Sequence, residues 1–145
     1  MKGQTSLELL VTVGVVIAFT IPVLFLLLSV SSIGYEDTAK AEADAAARTL
    51  ADTMNTVYAQ GYSQGVGAHR EVLLNVPPAT EAISASGGEV IVRIKTSGGS
   101  FDAVAPTIAK IGASSRTISN KGGLFKVVVR TNPAGEVELI DPTVP

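Results

Sequence analysis

The chain has 145 residues, of which 46% are hydrophobic, a formal net charge of −2, and no cysteine. The missing cysteines exclude disulfides, thiolate metal sites and attached c-type haem. Eleven Lys and Arg against thirteen Asp and Glu, with no basic block, argue against a nucleic-acid surface, which needs clustered cations to displace counterions. None of Asn55, Asn75, Asn120 and Asn132 is followed by Ser or Thr two residues on, so no N-glycosylation is expected.

The N-terminus is the most distinctive stretch. Residues 9–33 carry no charge, and only Thr12, Gly14, Thr20, Pro22, Ser29, Ser31 and Ser32 interrupt the apolar run. At about 1.5 Å per residue, a helix of that length crosses a hydrocarbon core about 30 Å thick. Glu8 lies about one turn inside the start, where a carboxylate is costly in lipid unless a cation meets it. An ordinary secretory signal would have an apolar stretch of roughly 7–15 residues and a cut after it, here among Ser29 to Gly34. A plain membrane anchor would place Lys2 in the cytoplasm.

A third reading rests on Lys2-Gly3-Gln4-Thr5-Ser6-Leu7-Glu8. This stretch resembles the class III signal peptide of archaeal type IV pilin-like proteins: a short basic leader ending in Gly, then Gln-x-Ser-x-Glu and an apolar helix. Gln4, Ser6 and Glu8 match in type and spacing, while Thr12 stands where a Leu is common. The resemblance covers about the first thirty residues. It implies that a prepilin peptidase cuts between Gly3 and Gln4, making residues 1–3 a leader. It further implies that Glu8 attracts the new Gln4 amine of a neighbouring subunit and that residues 7–33 pack with copies of themselves. The implied partners are the peptidase, a pilus assembly ATPase with its membrane platform, the membrane before assembly, and the chain itself in a homopolymeric filament. The implied location is the cell membrane for the precursor and an extracellular filament after assembly.

Beyond residue 33 the apolar helix is expected to continue as an amphipathic one over residues 34–60. Ala39, Ala43, Ala46, Ala47, Leu50, Met54 and Val57 recur every three or four residues, with Lys40, Asp44, Arg48 and Asp52 on the other side. Glu36/Lys40 and Asp44/Arg48 are acid-before-base pairs four apart. Gly34 is the one breaker near the join, at a cost of about 1 kcal/mol, and the glycine-rich residues 61–67 end the helix.

Residues 61–145 then read as a β-rich head. Val72, Leu74 and Val76 form one face of a strand closed by Pro77-Pro78; Val90, Val92 and Ile94 alternate with Arg93 and Lys95. Ile118 precedes a hairpin-like Ser119-Asn120-Lys121-Gly122-Gly123. Phe125, Val127 and Val129 follow, and Asn132-Pro133-Ala134-Gly135 turns the chain into Val137 and Leu139. Residues 101–115 read as either strand or loop. The expected fold class is α+β, a type IV pilin-like lollipop in which the amphipathic half of one long helix covers a sheet of three to five antiparallel strands.

Chemistry is sparse. His69 alone in a glycine-rich loop reads as a solvated residue, and Gly65-Val66-Gly67 lacks the third glycine and the strand-to-helix context of a dinucleotide turn. Asp37, Glu42, Asp44 and Asp52 read as a solvated helix face. Glu136, Glu138 and Asp141 read as outward strand positions, since the looped spacing of calcium ligands is missing. The expectation is a structural protein and not an enzyme, with no catalytic residues, metal or cofactor. Pro22 removes a backbone donor within the apolar helix; it reads either as a tolerated kink or as a local melt that lets filament subunits slide. The expected function is that of a pilus subunit serving surface adhesion. The alternatives are a minor subunit of another filament and an anchored surface-binding module that never assembles.

Overall fold

The computed structural model describes residues 2–63, 66–113, 115, 117–119 and 122–142, with side chains from Leu7 onward except those of Ser63 and Val66. One helix, α1, runs over Lys2–Gln60 without interruption at Gly34 or Pro22. It ends at Gly61, which adopts φ 69° and donates to the carbonyls of Val57 and Tyr58 at 3.2 and 3.1 Å. This is the left-handed cap that glycine supplies without steric cost. The chain divides into two units, Met1–Asp37 and Thr38–Pro145.

In the second unit α1 meets β-structure. All seven residues of the expected stripe, from Ala39 to Val57, are buried, and Ala51 joins them. Burying a side chain such as Leu50 stabilises by about 1.5–3 kcal/mol. Arg48 pairs with Asp44 at 2.9 Å on the exposed side.

Among the described residues nine strands follow: β1 (Tyr62–Ser63), β2 (Val66–Gly67), β3 (His69–Val76), β4 (Thr80–Ser86), β5 (Glu89–Thr96), β6 (Gly99–Pro106), β7 (Ile118–Ser119), β8 (Gly123–Thr131) and β9 (Val137–Ile140). The pairings between these strands are antiparallel, and an isolated parallel bridge joins Ile111 to Val137 of β9. The strands form a three-stranded sheet ordered β3-β8-β9, a four-stranded sheet ordered β6-β5-β4-β7, and the small pair β1-β2. One apolar core contains the α1 stripe together with Val72, Leu74 and Val76 of β3, Ile83 of β4, Val90, Val92 and Ile94 of β5, and Val127 and Val129 of β8. The α+β class, one long helix packed on antiparallel sheets, is therefore as expected.

Several expectations are corrected. The head has two principal sheets instead of one. Residues 101–106 of the ambiguous segment belong to the edge strand β6, which is fully in register with β5. Strand β4 was unforeseen, since Ile83 is its one large apolar side chain. Ile118 does not lead into a hairpin with β8: β7 pairs with β4 while β8 pairs with β3, so the chain crosses between sheets there. Asn120 and Lys121 themselves lie outside the described residues. Within residues 61–67, Tyr62–Ser63 and Val66–Gly67 pair as short strands, and His69 opens β3 instead of sitting in a loop.

Glu138 and Asp141 are each only 4% exposed, against their reading as outward positions. Glu138 does alternate with the inward Val137 and Leu139, but β9 is covered on its other side too. Gly112 approaches so closely that a Cβ there would stand 3.3 Å from Glu138 Cγ, and Ser115 Oγ accepts from Leu139 N at 3.3 Å. The burial of Glu138 is compensated by Arg130 and Asn132.

Candidate functional site

The first unit is α1 up to Asp37, and its side chains are exposed around the whole circumference: Leu10 and Phe19, on different sides, are each 74% accessible. From Leu7 onward the helix is long and apolar enough to cross a membrane, with a mean hydropathy of 2.7 in its best window and none of that window buried. A helix apolar on all sides needs either lipid or other protein around it.

Three of its hydroxyls are satisfied within the helix. Thr12 Oγ1 donates to the Glu8 carbonyl at 2.8 Å, Thr20 Oγ1 to Val16 at 2.7 Å and Ser29 Oγ to Phe25 at 2.9 Å. Each of these hydroxyls reaches back four residues, so none stands unsatisfied in an apolar medium. Gly14 has no heavy atom within 4 Å of the position a Cβ would take, leaving room for another helix to approach.

Of the residues singled out from the sequence, Gly3, Gln4, Ser6 and Glu8 all lie in the first turns of α1. The side chains of Gln4 and Ser6 are outside the described set, as is Met1. Glu8 is exposed, and no hydrogen bond or ion pair joins its carboxylate to another described side chain. Pro22 lies fourteen residues further on, about 21 Å along the axis at 1.5 Å per residue, and is not brought near Glu8. The proline removes the N–H that would have bonded the carbonyl of Ala18, yet the helix passes through it.

Several charged groups of the second unit are paired at the surface. Arg93 Nε and Nη2 grip the two oxygens of Asp102 at 2.6 and 2.7 Å across β5 and β6. That hydrogen bonding holds the Asp102 carboxyl below the usual range and raises Arg93. Lys126 lowers Glu71 in the same way, and Lys110, helped by Asn132, lowers Glu136. Among the described residues, no three His, Cys, Asp or Glu side chains gather as they would around a metal ion.

Sequence reasoning missed two groups. Asn55 of α1 accepts from Thr107 Oγ1 at 2.6 Å and Ile108 N at 2.9 Å, tying the loop after β6 to the helix. Arg130, Asn132 and Glu138 form a second cluster; an Asn opening a turn just after an Arg-bearing strand was the available signal. No protein-family model, curated protein or solved structure matches this chain.

Proposed function

We propose that this chain is a structural subunit of an archaeal type IV pilus-like filament, made as a membrane precursor and assembled outside the cell for adhesion. The observation that carries this reading is Glu8: a carboxylate with no partner among the described side chains, at the start of a helical stretch that is apolar on every side and five residues after Gly3. A helix that only anchors has no use for a charge at that depth.

In this mechanism the precursor rests in the membrane with Lys2 inside. A prepilin peptidase hydrolyses the Gly3–Gln4 bond, which removes the leader lysine and creates an amine at Gln4. The amine of an incoming subunit pairs with Glu8 of its neighbour. Two opposite charges entering an apolar bundle together offset a desolvation that would oppose either alone. The side chains of residues 7–33 exchange lipid for one another, driven by an assembly ATPase through its membrane platform. A repeated heterologous contact that does not close then gives a helical polymer.

Intact mass of the surface protein, with electron microscopy of sheared material, tests the proposal. The expected result is a chain lacking Met1-Lys2-Gly3, found in filaments. A mature start near Gly34 would establish a secretory signal and overturn it. An uncut chain that stays dispersed in the membrane would favour the monomeric anchored module.

A further inference from the structure

The face of the three-stranded sheet opposite Val127 and Val129 carries a polar row in register across all three strands: His69 of β3, Arg130 of β8 and Glu138 of β9. The next row on this face is Glu71, Val128 and Ile140, apolar on β8 and β9 and carrying on β3 a carboxylate already paired with Lys126. The β1–β2 pair stands beside this surface, held by a close approach. A Cβ at position 67 would lie 2.2 Å from the carbonyl oxygen of Thr131 and 3.2 Å from the Tyr62 ring, so glycine is required there. Together with the Asn132-Pro133 turn these residues line a cavity of about 650 Å³, within the roughly 300–1,000 Å³ typical of small-molecule sites.

The electrostatics narrow the ligand class. Arg130 directs Nε and Nη2 at Glu138 Oε2, 3.2 and 3.1 Å away, and Asn132 Nδ2 donates to Oε1 at 3.1 Å. The guanidinium is already compensated, so an anion gains little, and the carboxylate is compensated too, so a cation gains little. The Asn132 amide is spent as well, its Nδ2 on Glu136 and Glu138 and its Oδ1 on the Ala134 and Glu136 main-chain N–H groups. What remains are the outer N–H groups of Arg130 and the His69 ring, beside the aliphatic Val128 and Ile140 and the ring of Tyr62. A pyranose ring matches that arrangement: hydroxyls around its rim and apolar C–H faces above and below.

We infer that this cavity binds a neutral saccharide, with the sugar face against Tyr62, Val128 and Ile140 and its hydroxyls on the polar row. Every contributing residue belongs to the second unit, so the inference holds for a lone anchored chain as well as for a filament subunit. The test therefore uses the unassembled full chain, in a polyoxyethylene detergent that carries no sugar head. It is applied to immobilised neutral oligosaccharides ending in hexose or N-acetylhexosamine, alongside sulfated and sialylated ones.

Selective retention on neutral sugars is expected. Tyr62→Ala and His69→Ala should each weaken it at least about tenfold, 1.4 kcal/mol, with unchanged thermal melting, while Tyr62→Phe keeps the ring and the binding. Displacement by the free monosaccharide would assign recognition to a single terminal residue; displacement by the free oligosaccharide alone would assign it to a longer stretch of the glycan. The inference is overturned if no neutral sugar is retained, if sulfated sugars are preferred, if no free sugar displaces the bound ones, or if His69→Ala binds as well as the native chain.

Discussion

Within α1, Leu10, Phe19, Phe25 and Leu28 stand exposed in the first unit, whereas Ala43, Ala46, Ala47 and Ala51 are buried in the second. Five alanines, Ala39, Ala43, Ala46, Ala47 and Ala51, lie under the sheets together with Leu50, Met54 and Val57 as one stripe, whereas the first unit's large side chains are spread all round the helix. Alanines let a sheet approach the helix backbone, so that half acquires its partner from the same chain. Bulky side chains spread around a full circumference cannot be covered by one sheet and require a surrounding medium, lipid or other helices. The arrangement of apolar side chains, one alanine-rich stripe against a full circumference, separates the half that is completed by folding from the half that is completed by an environment.

The contrast is broken most directly by a charge in each half. Leu50→Asp should cost about 4 kcal/mol or more, from lost packing and a buried unpaired carboxylate, against a total stability of about 5–15 kcal/mol. Circular dichroism of the detergent-solubilised chain should show the β-structure lost or melting far lower. Leu24→Asp should leave that melting transition within about 0.5 kcal/mol of native, while membrane insertion weakens by about 3 kcal/mol. A fall in the melting transition for Leu24→Asp would show that the halves are not separable.

Glu8→Leu and Glu8→Gln sharpen the comparison on the uncovered side. Both should leave insertion intact and the processed subunit abundant in the membrane, with filament yield lost. Normal yield from either would remove the carboxylate from assembly.

Gly67→Ala probes the covered side. Relief of a 2.2 Å approach to the Thr131 carbonyl requires the β1–β2 pair to shift, at about 1–3 kcal/mol. Hydrogen exchange should then rise at the Thr131 amide, which donates to the Ala68 carbonyl at 2.8 Å, and at the Ala68 amide, which donates to the Gly61 carbonyl at 3.2 Å.

The smallest effect is of pH. Asp102, Glu71 and Glu136 are held below their ordinary values by Arg93, Lys126 and Lys110. Their charged forms therefore favour the folded state above the ordinary carboxyl range, and this contribution is lost as pH falls through the depressed values. Melting of the native chain should be flat from neutrality down to about pH 5 and decline below about pH 4. Because the pairs are exposed, the decline should be shallow and further reduced by salt.

Much of this was legible from residue order. The stripe from Ala39 to Val57 follows helical spacing without exception, and β3, β5 and β8 place large apolar residues at every second position. Strands β4 and β6 were obscured because their buried positions include Ala85, Ala103 and Ala105, whose small side chains give a weak period-two signal. The division into two sheets depends on β3 choosing β8 and β4 choosing β7, pairings between residues remote in sequence. The burial of Glu138 was illegible for a related reason: its cover comes from Gly112 and Ser115, in a loop with no periodicity. At the candidate site, Glu8 and Pro22 could be named from order alone, while the row of His69, Arg130 and Glu138 exists only once register aligns three strands.

The order of strands has a consequence for how the head forms. Because Val76 pairs with Gly123, the entire four-stranded sheet is spliced into what would otherwise be a hairpin of β3 and β8. The three-stranded sheet must therefore close a loop over residues 77–122. The entropy of that closure grows only with the logarithm of loop length, but it must be met before the pairing rewards it, which slows such topologies. If β4, β5 and β6 associate first through their short turns, they draw Val76 and Gly123 together. The spliced segment would then act as an intramolecular clamp for its host. Exchanging residues 77–122 for a short turn should leave β3 and β8 able to pair, while exposing the part of the α1 stripe that the four-stranded sheet covers.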